Sequence, residues 1–262
     1  MRTILLAVFL LFMSVVSSMA GVIILDGNYQ GKNLYVQNPF AGSGVGFCVY
    51  EVTVNDQVTT DEINSSAFEI DFKNFQLKLG DKVVVKIKHK DDCKPKILNP
   101  EVLKPKSTYE VVSMKVEKDG TLKWSTKGES GKLPYVIEEF RWTVWKKAGE
   151  VEGIGTSGVN DYSFKLIPHS GKNQFRIKQI DYTGQPKISK PVDYMSTVPE
   201  VTFAPLKVSK EIIFSDETMF EIYDQYGNIV KKGFAKTVDA TNLPKGAYYL
   251  NYDNKTGEFI KK

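Results

Sequence analysis

Apolar and polar residues alternate along most of this chain with a period of two, the spacing of strands whose faces meet different surroundings. Across 67–73 the pattern sets Phe68, Ile70 and Phe72 against Glu69, Asp71 and Lys73. In 82–90 the residues Val83, Val85, Ile87 and His89 share a face, and short apolar runs occupy 22–25, 34–36 and 47–52. The segment 109–117, with Val112, Met114 and Val116 on one side, turns at Lys118-Asp119-Gly120 into 121–124. That is a hairpin on an Asp-Gly turn. The segment 135–145 reads as one long strand, with Trp142 and Trp145 on opposite faces, one in the core and the other open. Segments at 151–155, 162–166 and 174–184 follow, and 190–205, with Pro191, Pro199 and Pro205, reads as a stiff extended linker. Near the end, 220–224 and 229–230 flank the turn Gln225-Tyr226-Gly227-Asn228. A second turn over 242–246 leads into 247–252, and a third over 253–257 leads into a closing strand, 258–262. Sustained helical spacing is missing beyond residue 20. The prediction is an all-β chain of β-sandwiches.

The exception to the alternation lies at the start. Met1-Arg2-Thr3 precedes an apolar run over 4–16, and Ser17-Ser18-Met19-Ala20 supplies small residues. This is the pattern of a secretory signal peptide over 1–20, cut after Ala20. Its apolar part is short for a membrane span, and no later stretch reaches the ~20 apolar residues a span needs. No cysteine follows the run, which removes a lipoprotein anchor there.

Composition changes the picture in two ways. The 35 basic and 31 acidic side chains give a formal charge of +4, interspersed rather than blocked, so nothing argues for nucleic acid. The two cysteines, Cys48 and Cys93, fall in the first region, and in an exported chain they are read as a disulfide. Its closure is worth on the order of 3–4 kcal/mol in the chain-entropy model.

Candidate chemistry is sparse. No motif orients a cysteine with His89 or His169 as a nucleophile, and His169, in Pro168-His169-Ser170-Gly171, reads as a solvated turn residue. Ser43-Gly44-Val45-Gly46 leads into no helix, which argues against a phosphate cradle. Asp81, Asp91 and Asp92 lack the spacing of a calcium loop. Tyr29 and Tyr35 are candidates for stacking on sugar, with an ordinary place in a sheet as the alternative. No cofactor, metal or catalytic residue is assigned.

Two stretches resemble known families. The order Ile222-Tyr223-Asp224, Gly227, Leu243-Pro244-Lys245-Gly246, Tyr248 and the final Lys261-Lys262 resembles the C-terminal sorting domain of the Bacteroidetes type IX secretion pathway. The resemblance implies a small β-sandwich read by an outer-membrane translocon, with Leu243, Gly246, Tyr248, Lys261 and Lys262 as its motif. Family members usually open on a Tyr-Pro-Asn-Pro-like segment, where this chain has Val201-Thr202-Phe203-Ala204-Pro205. The resemblance therefore carries the fold over more fully than the sorting activity. Upstream, Ile137-Glu138, Trp145, Gly149, Val151, Gly153, Gly155, Tyr162, Phe164, Arg176, Lys178, Gln179, Asp181, Gly184 and Ser189 resemble the fibronectin type III-like modules that precede such tails.

The expected organisation is tandem immunoglobulin- or fibronectin-like sandwiches: a signal peptide over 1–20, a disulfide-bonded domain over 21–104, a fibronectin-like module over 105–195 and a sorting-domain-like tail over 206–262. The expected function is non-enzymatic. It is an exported protein of the Bacteroidetes envelope or surface, partnered with the type IX translocon or other envelope proteins, that binds proteins or glycans. The alternative is a carbohydrate-active or carbohydrate-binding secreted protein. A paired-carboxylate glycosidase stays open in sequence, because its signature is spatial.

Overall fold

Alternation becomes strand pairing wherever one face can be buried, and the computed structural model, which describes residues 21–262, is β throughout apart from two short 3-10 turns. The predicted signal peptide lies outside the described residues. No helix among them is long and apolar enough to cross a membrane. The chain divides into two compact units.

The first unit comprises residues 21–27, 31–77 and 82–103. Its strands are β1 (Gly21–Asn28), β2 (Leu34–Gln37), β3 (Val49–Val54), β4 (Gln57–Val58), β5 (Ala67–Ile70), β6 (Lys82–His89) and β7 (Lys96–Ile97). They form two sheets, ordered β1-β6-β3-β4 and β5-β2-β7. Leu34, Val36, Phe68 and Ile70 are buried on one sheet, and Val52, Val54, Val83, Val85 and Ile87 on the other. Phe72 is buried as expected, but on a 3-10 turn (Phe72–Phe75) capped by Asp71 rather than on a continuing strand. Cys48 and Cys93 are disulfide-bonded, with Cα atoms 5.8 Å apart.

The second unit comprises residues 28–30, 78–81 and 104–262, and it holds two hydrophobic cores. The first core lies between the sheet of β12 (Asn160–Lys165), β9 (Thr121–Lys127) and β8 (Glu110–Val116) and a five-stranded sheet. The latter contains β10 (Tyr135–Arg141), β11 (Val144–Val151), β13 (Gly171–Ile180), β14 (Pro186–Ile188) and β15 (Val192–Ser196). Tyr109, Trp124, Tyr135 and Tyr162 fill it with ring contacts at 5.0–5.9 Å between centroids. Gly149 of the module pattern has a packing reason: a Cβ there would lie 2.1 Å from the ring of Phe164.

The second core belongs to the tail. Its strands are β16 (Phe203–Ala204), β17 (Lys207–Val208), β18 (Glu211–Tyr223), β19 (Ile229–Asp239), β20 (Gly246–Tyr252) and β21 (Lys255–Lys261). Five of them run in the order β16-β18-β20-β21-β17, and β19 pairs with β18. Val201, Ile212, Phe214, Ile222, Leu250 and Phe259 are among its buried residues.

Five sequence expectations are corrected. The segment 135–145 is not one strand but the hairpin β10–β11, turning at Trp142-Thr143, both with positive φ (52° and 66°). Neither Trp142 nor Trp145 is in the core; both are half-buried, and the core tryptophan is Trp124. Residues 192–196 of the 190–205 linker are strand, because β15 pairs with β13 and leaves 197–200 as an exposed connector. The last hairpin turns on Asp253-Asn254 alone, with Tyr252 opposite Lys255, so β21 starts three residues earlier than the composition of 253–257 suggested. His169 is buried rather than solvated.

Candidate functional site

The motif residues of the tail are structural in the first instance. Leu243, Tyr248 and Lys261 are buried, and Lys262 is exposed. Tyr248 stacks on Phe259 at 5.3 Å, and its hydroxyl donates to Pro244 O at 2.9 Å. Gly246 has φ +153, a conformation open mainly to glycine, and nothing crowds the place where a Cβ would sit. Backbone freedom, not space, selects glycine there. The amide of Lys262 donates to Val208 O at 2.9 Å and closes the parallel β17–β21 edge.

The chemistry that sequence reasoning missed lies where the tail meets the preceding module. Asp253, in the β20–β21 turn with φ 47°, is only 1% exposed. Its carboxylate accepts from Ser170 N at 2.9 Å, Ser170 Oγ at 2.5 Å and Val201 N at 3.3 Å. A buried carboxylate without partners is costly, and three donors offset that cost. The same turn is held from outside its strand: Trp142 Nε1 donates to Asp253 O at 3.0 Å, and Asn254 Nδ2 donates to Ser170 O at 2.9 Å. Asp253 N donates to Thr218 Oγ1 at 3.0 Å, which anchors the turn within the tail.

Charge reinforces the junction. Lys146 Nζ reaches both oxygens of Glu221, at 2.6 and 2.7 Å, and lies 5.0 Å from the Trp142 ring centroid. Burial pulls the Glu221 carboxyl upward, but Lys146 and the Tyr223 hydroxyl outweigh it and hold it below the usual range. The Tyr223 hydroxyl, half-buried and donating to that carboxylate, is pushed up to about 12. Beside the junction His169 donates its amide to Asn173 Oδ1 at 3.0 Å, and its Nδ1 lies 2.7 Å from Ser170 O. Burial, joined by the charge of Arg141, lowers its pKa. Arg141 is itself buried and paired with Glu139 at 3.1 Å. A cavity of about 470 Å³ borders these groups, lined by Arg141, His169, Tyr194, Val201, Phe234 and Asp253 among others.

A second buried carboxylate organises the module's own core. Glu129 accepts from Tyr162 OH at 2.7 Å, Tyr135 OH at 3.0 Å and Gly155 N at 2.7 Å, and also from the Thr126 hydroxyl. Burial raises the pKa of both tyrosines. Glu129 falls in a stretch whose polar, glycine-rich composition reads only as a loop, so nothing local marks it.

The remaining candidates are dispersed. His89 Nδ1 lies 2.8 Å from Lys90 O. Asp81 and Asp92 accept from backbone amides of Lys78 and Ser43. No cluster of three or more His, Cys, Asp or Glu side chains poised for a metal occurs among the described residues. Tyr29 is buried, whereas Tyr35 is exposed beside Glu69.

Comparison with known proteins accounts for the tail. Residues 204–262 match the family described as "Secretion system C-terminal sorting domain". No curated protein matches the chain. Among solved structures, a tetra-tandem repeat from the extending region of a large adhesion protein aligns over 93% of this chain and 73% of its own, at 10% identity and TM-score 0.31. Dimeric latent PorU from Porphyromonas gingivalis aligns over 92% of this chain and 31% of its own, at 10% identity and TM-score 0.25. The chicken CNTN1 FN1–FN3 domains align over 94% and 98%, at 10% identity and TM-score 0.26.

Proposed function

We propose that this chain is a non-enzymatic cargo of the type IX secretion system, working at the outer membrane or cell surface by binding proteins or glycans through its β-sandwiches. The observation that carries the export part is the match of residues 204–262 to a secretion-system sorting domain, which marks an exported protein. The binding part is supported by the architecture. Sandwich strands present side chains on outward faces, both cysteines are committed to a disulfide, and each histidine ring holds a backbone carbonyl.

The tail serves two roles in this reading. It is the address for the translocon, and it is also the fixed end of the unit that precedes it. The supporting observation is Asp253, a tail residue whose carboxylate is satisfied by Ser170 of the module and by Val201 at the tail's own start. A tail held this way stays with the body of the protein after export.

Deletion of 204–262 in the native cells tests the export role. The truncated protein is expected to accumulate in the periplasm, whereas the full chain reaches the outer membrane or the medium. Equal export of both forms would remove the tail's role as an address.

A further inference from the structure

Tyr35 stands on the outward face of β2, 45% exposed, directly opposite Glu69 of β5. Its hydroxyl donates to Glu69 Oε1 at 3.1 Å, and Asn33 Nδ2 donates to the same oxygen at 2.5 Å. Tyr35 N donates to Asn99 Oδ1 at 2.8 Å, and Asn99 Nδ2 donates to Asn33 O at 3.0 Å. A phenol ring, two amides and a carboxylate are thus fixed by bonds among themselves. They border a cavity of about 450 Å³ that Lys32, Lys73, Glu101 and Val102 complete, within the size class that holds small ligands.

We propose that this cavity binds a neutral saccharide. The exposed Tyr35 ring offers an apolar face to the C–H side of a pyranose while keeping its polar tip anchored. Paired amide donors and acceptors beside a carboxylate match the neighbouring hydroxyls of a sugar, each of which both donates and accepts. Two lysines face two glutamates around the rim, so no net charge favours an anionic ligand. The constellation is pre-organised, which lowers the ordering cost that weakens binding at open surfaces. Elsewhere in this unit the exposed Phe40 stacks on the half-buried Phe47 at 4.5 Å, and none of the polar groups described above is bonded to that pair. The site stands apart from the export reading, since it would bind sugar wherever the chain resides.

The test is titration of the purified 21–262 chain, followed by amide NMR shifts, with maltohexaose, cellohexaose, laminarihexaose, mannohexaose and xylohexaose, and chondroitin sulfate as the anionic control. At least one neutral oligosaccharide is expected to saturate a set of shifts centred on Asn33, Tyr35, Glu69 and Asn99. Tyr35→Ala is expected to weaken that binding at least about tenfold. Glu69→Gln, which keeps the shape of the group and removes its charge, is expected to weaken it by less, and Tyr226→Ala in the tail to leave it unchanged. Tyr35 is exposed, so its alanine variant should keep the wild-type melting temperature. Should it not, Glu69→Gln decides. The proposal is overturned by absence of saturation with every neutral probe at about 10 mM, by binding that survives the site variants, or by binding of chondroitin sulfate alone.

Discussion

The indole nitrogen of Trp142 donates to the backbone oxygen of Asp253 at 3.0 Å, joining two hairpin turns from different β-modules. Both turns carry non-glycine residues with positive φ, at 52° and 66° for Trp142-Thr143 and 47° for Asp253. The left-handed region is unfavourable for such residues, most of all for a β-branched threonine. The turns persist because each is held by groups of the other module.

Asp253→Ala is therefore expected to cost about 3 kcal/mol or more, since Ser170 N and Val201 N lose their acceptor in a buried place. Calorimetry should show the tail core melting separately from the module core. With a protease site placed in 197–200, the wild-type halves should co-elute on size exclusion after cutting, and the Asp253→Ala halves should separate. Co-elution of both would remove Asp253 from the junction.

Glu129→Ala leaves two tyrosine hydroxyls, a threonine hydroxyl and the Gly155 amide without their shared acceptor. A loss of about 3–5 kcal/mol is expected in chemical denaturation, with Glu129→Gln milder because one oxygen remains. A variant as stable as wild type would show that water replaces the carboxylate.

Acid is expected to destabilise the second unit in two steps. His169 is held below its unfolded pKa of about 6.5, mainly by burial. The unfolded chain therefore binds the extra proton, and stability falls as pH drops from about 6.5 through the folded value. His169→Asn should flatten that limb. Burial works against the charged forms of Glu138 and Glu221, yet their lysine and arginine partners hold both below the ordinary range. Their contribution is present above about pH 4.3 and is lost as pH falls through their folded values. Glu139, raised by burial, acts in the opposite sense. Melting temperatures between pH 8 and 3, taken for wild type and His169→Asn, separate the limbs.

Reduction of Cys48–Cys93 should lower the stability of the first unit by about 3–4 kcal/mol and leave the second unit's transition in place. Calorimetry with and without reductant checks this. A shift of both transitions together would contradict it.

Much of the fold was legible because period-two alternation over Phe68–Ile70 or Val83–Ile87 has one physical solution, a half-buried strand. The tail was legible from its turns and from the Gly246-x-Tyr248 order. What stayed hidden depended on contacts far apart in sequence. The Trp142-Thr143 turn lacks the Asn and Gly that announce a two-residue hairpin, and its stabilising partner lies 111 residues away. His169 sits in a Pro-Ser-Gly context that reads as solvated, yet the module and the tail bury it. Asp253 and Glu129 look like ordinary loop acids until the donors around them are seen.

The most direct measurement is quantitative peptide mass spectrometry of cytoplasm, periplasm, outer membrane and medium from the native cells. The expected result is that the protein is found in the outer-membrane or medium fraction, with peptides from 204–262 in a one-to-one ratio to those from 104–196. A protein confined to the periplasm, or an exported body lacking the tail peptides, would contradict it.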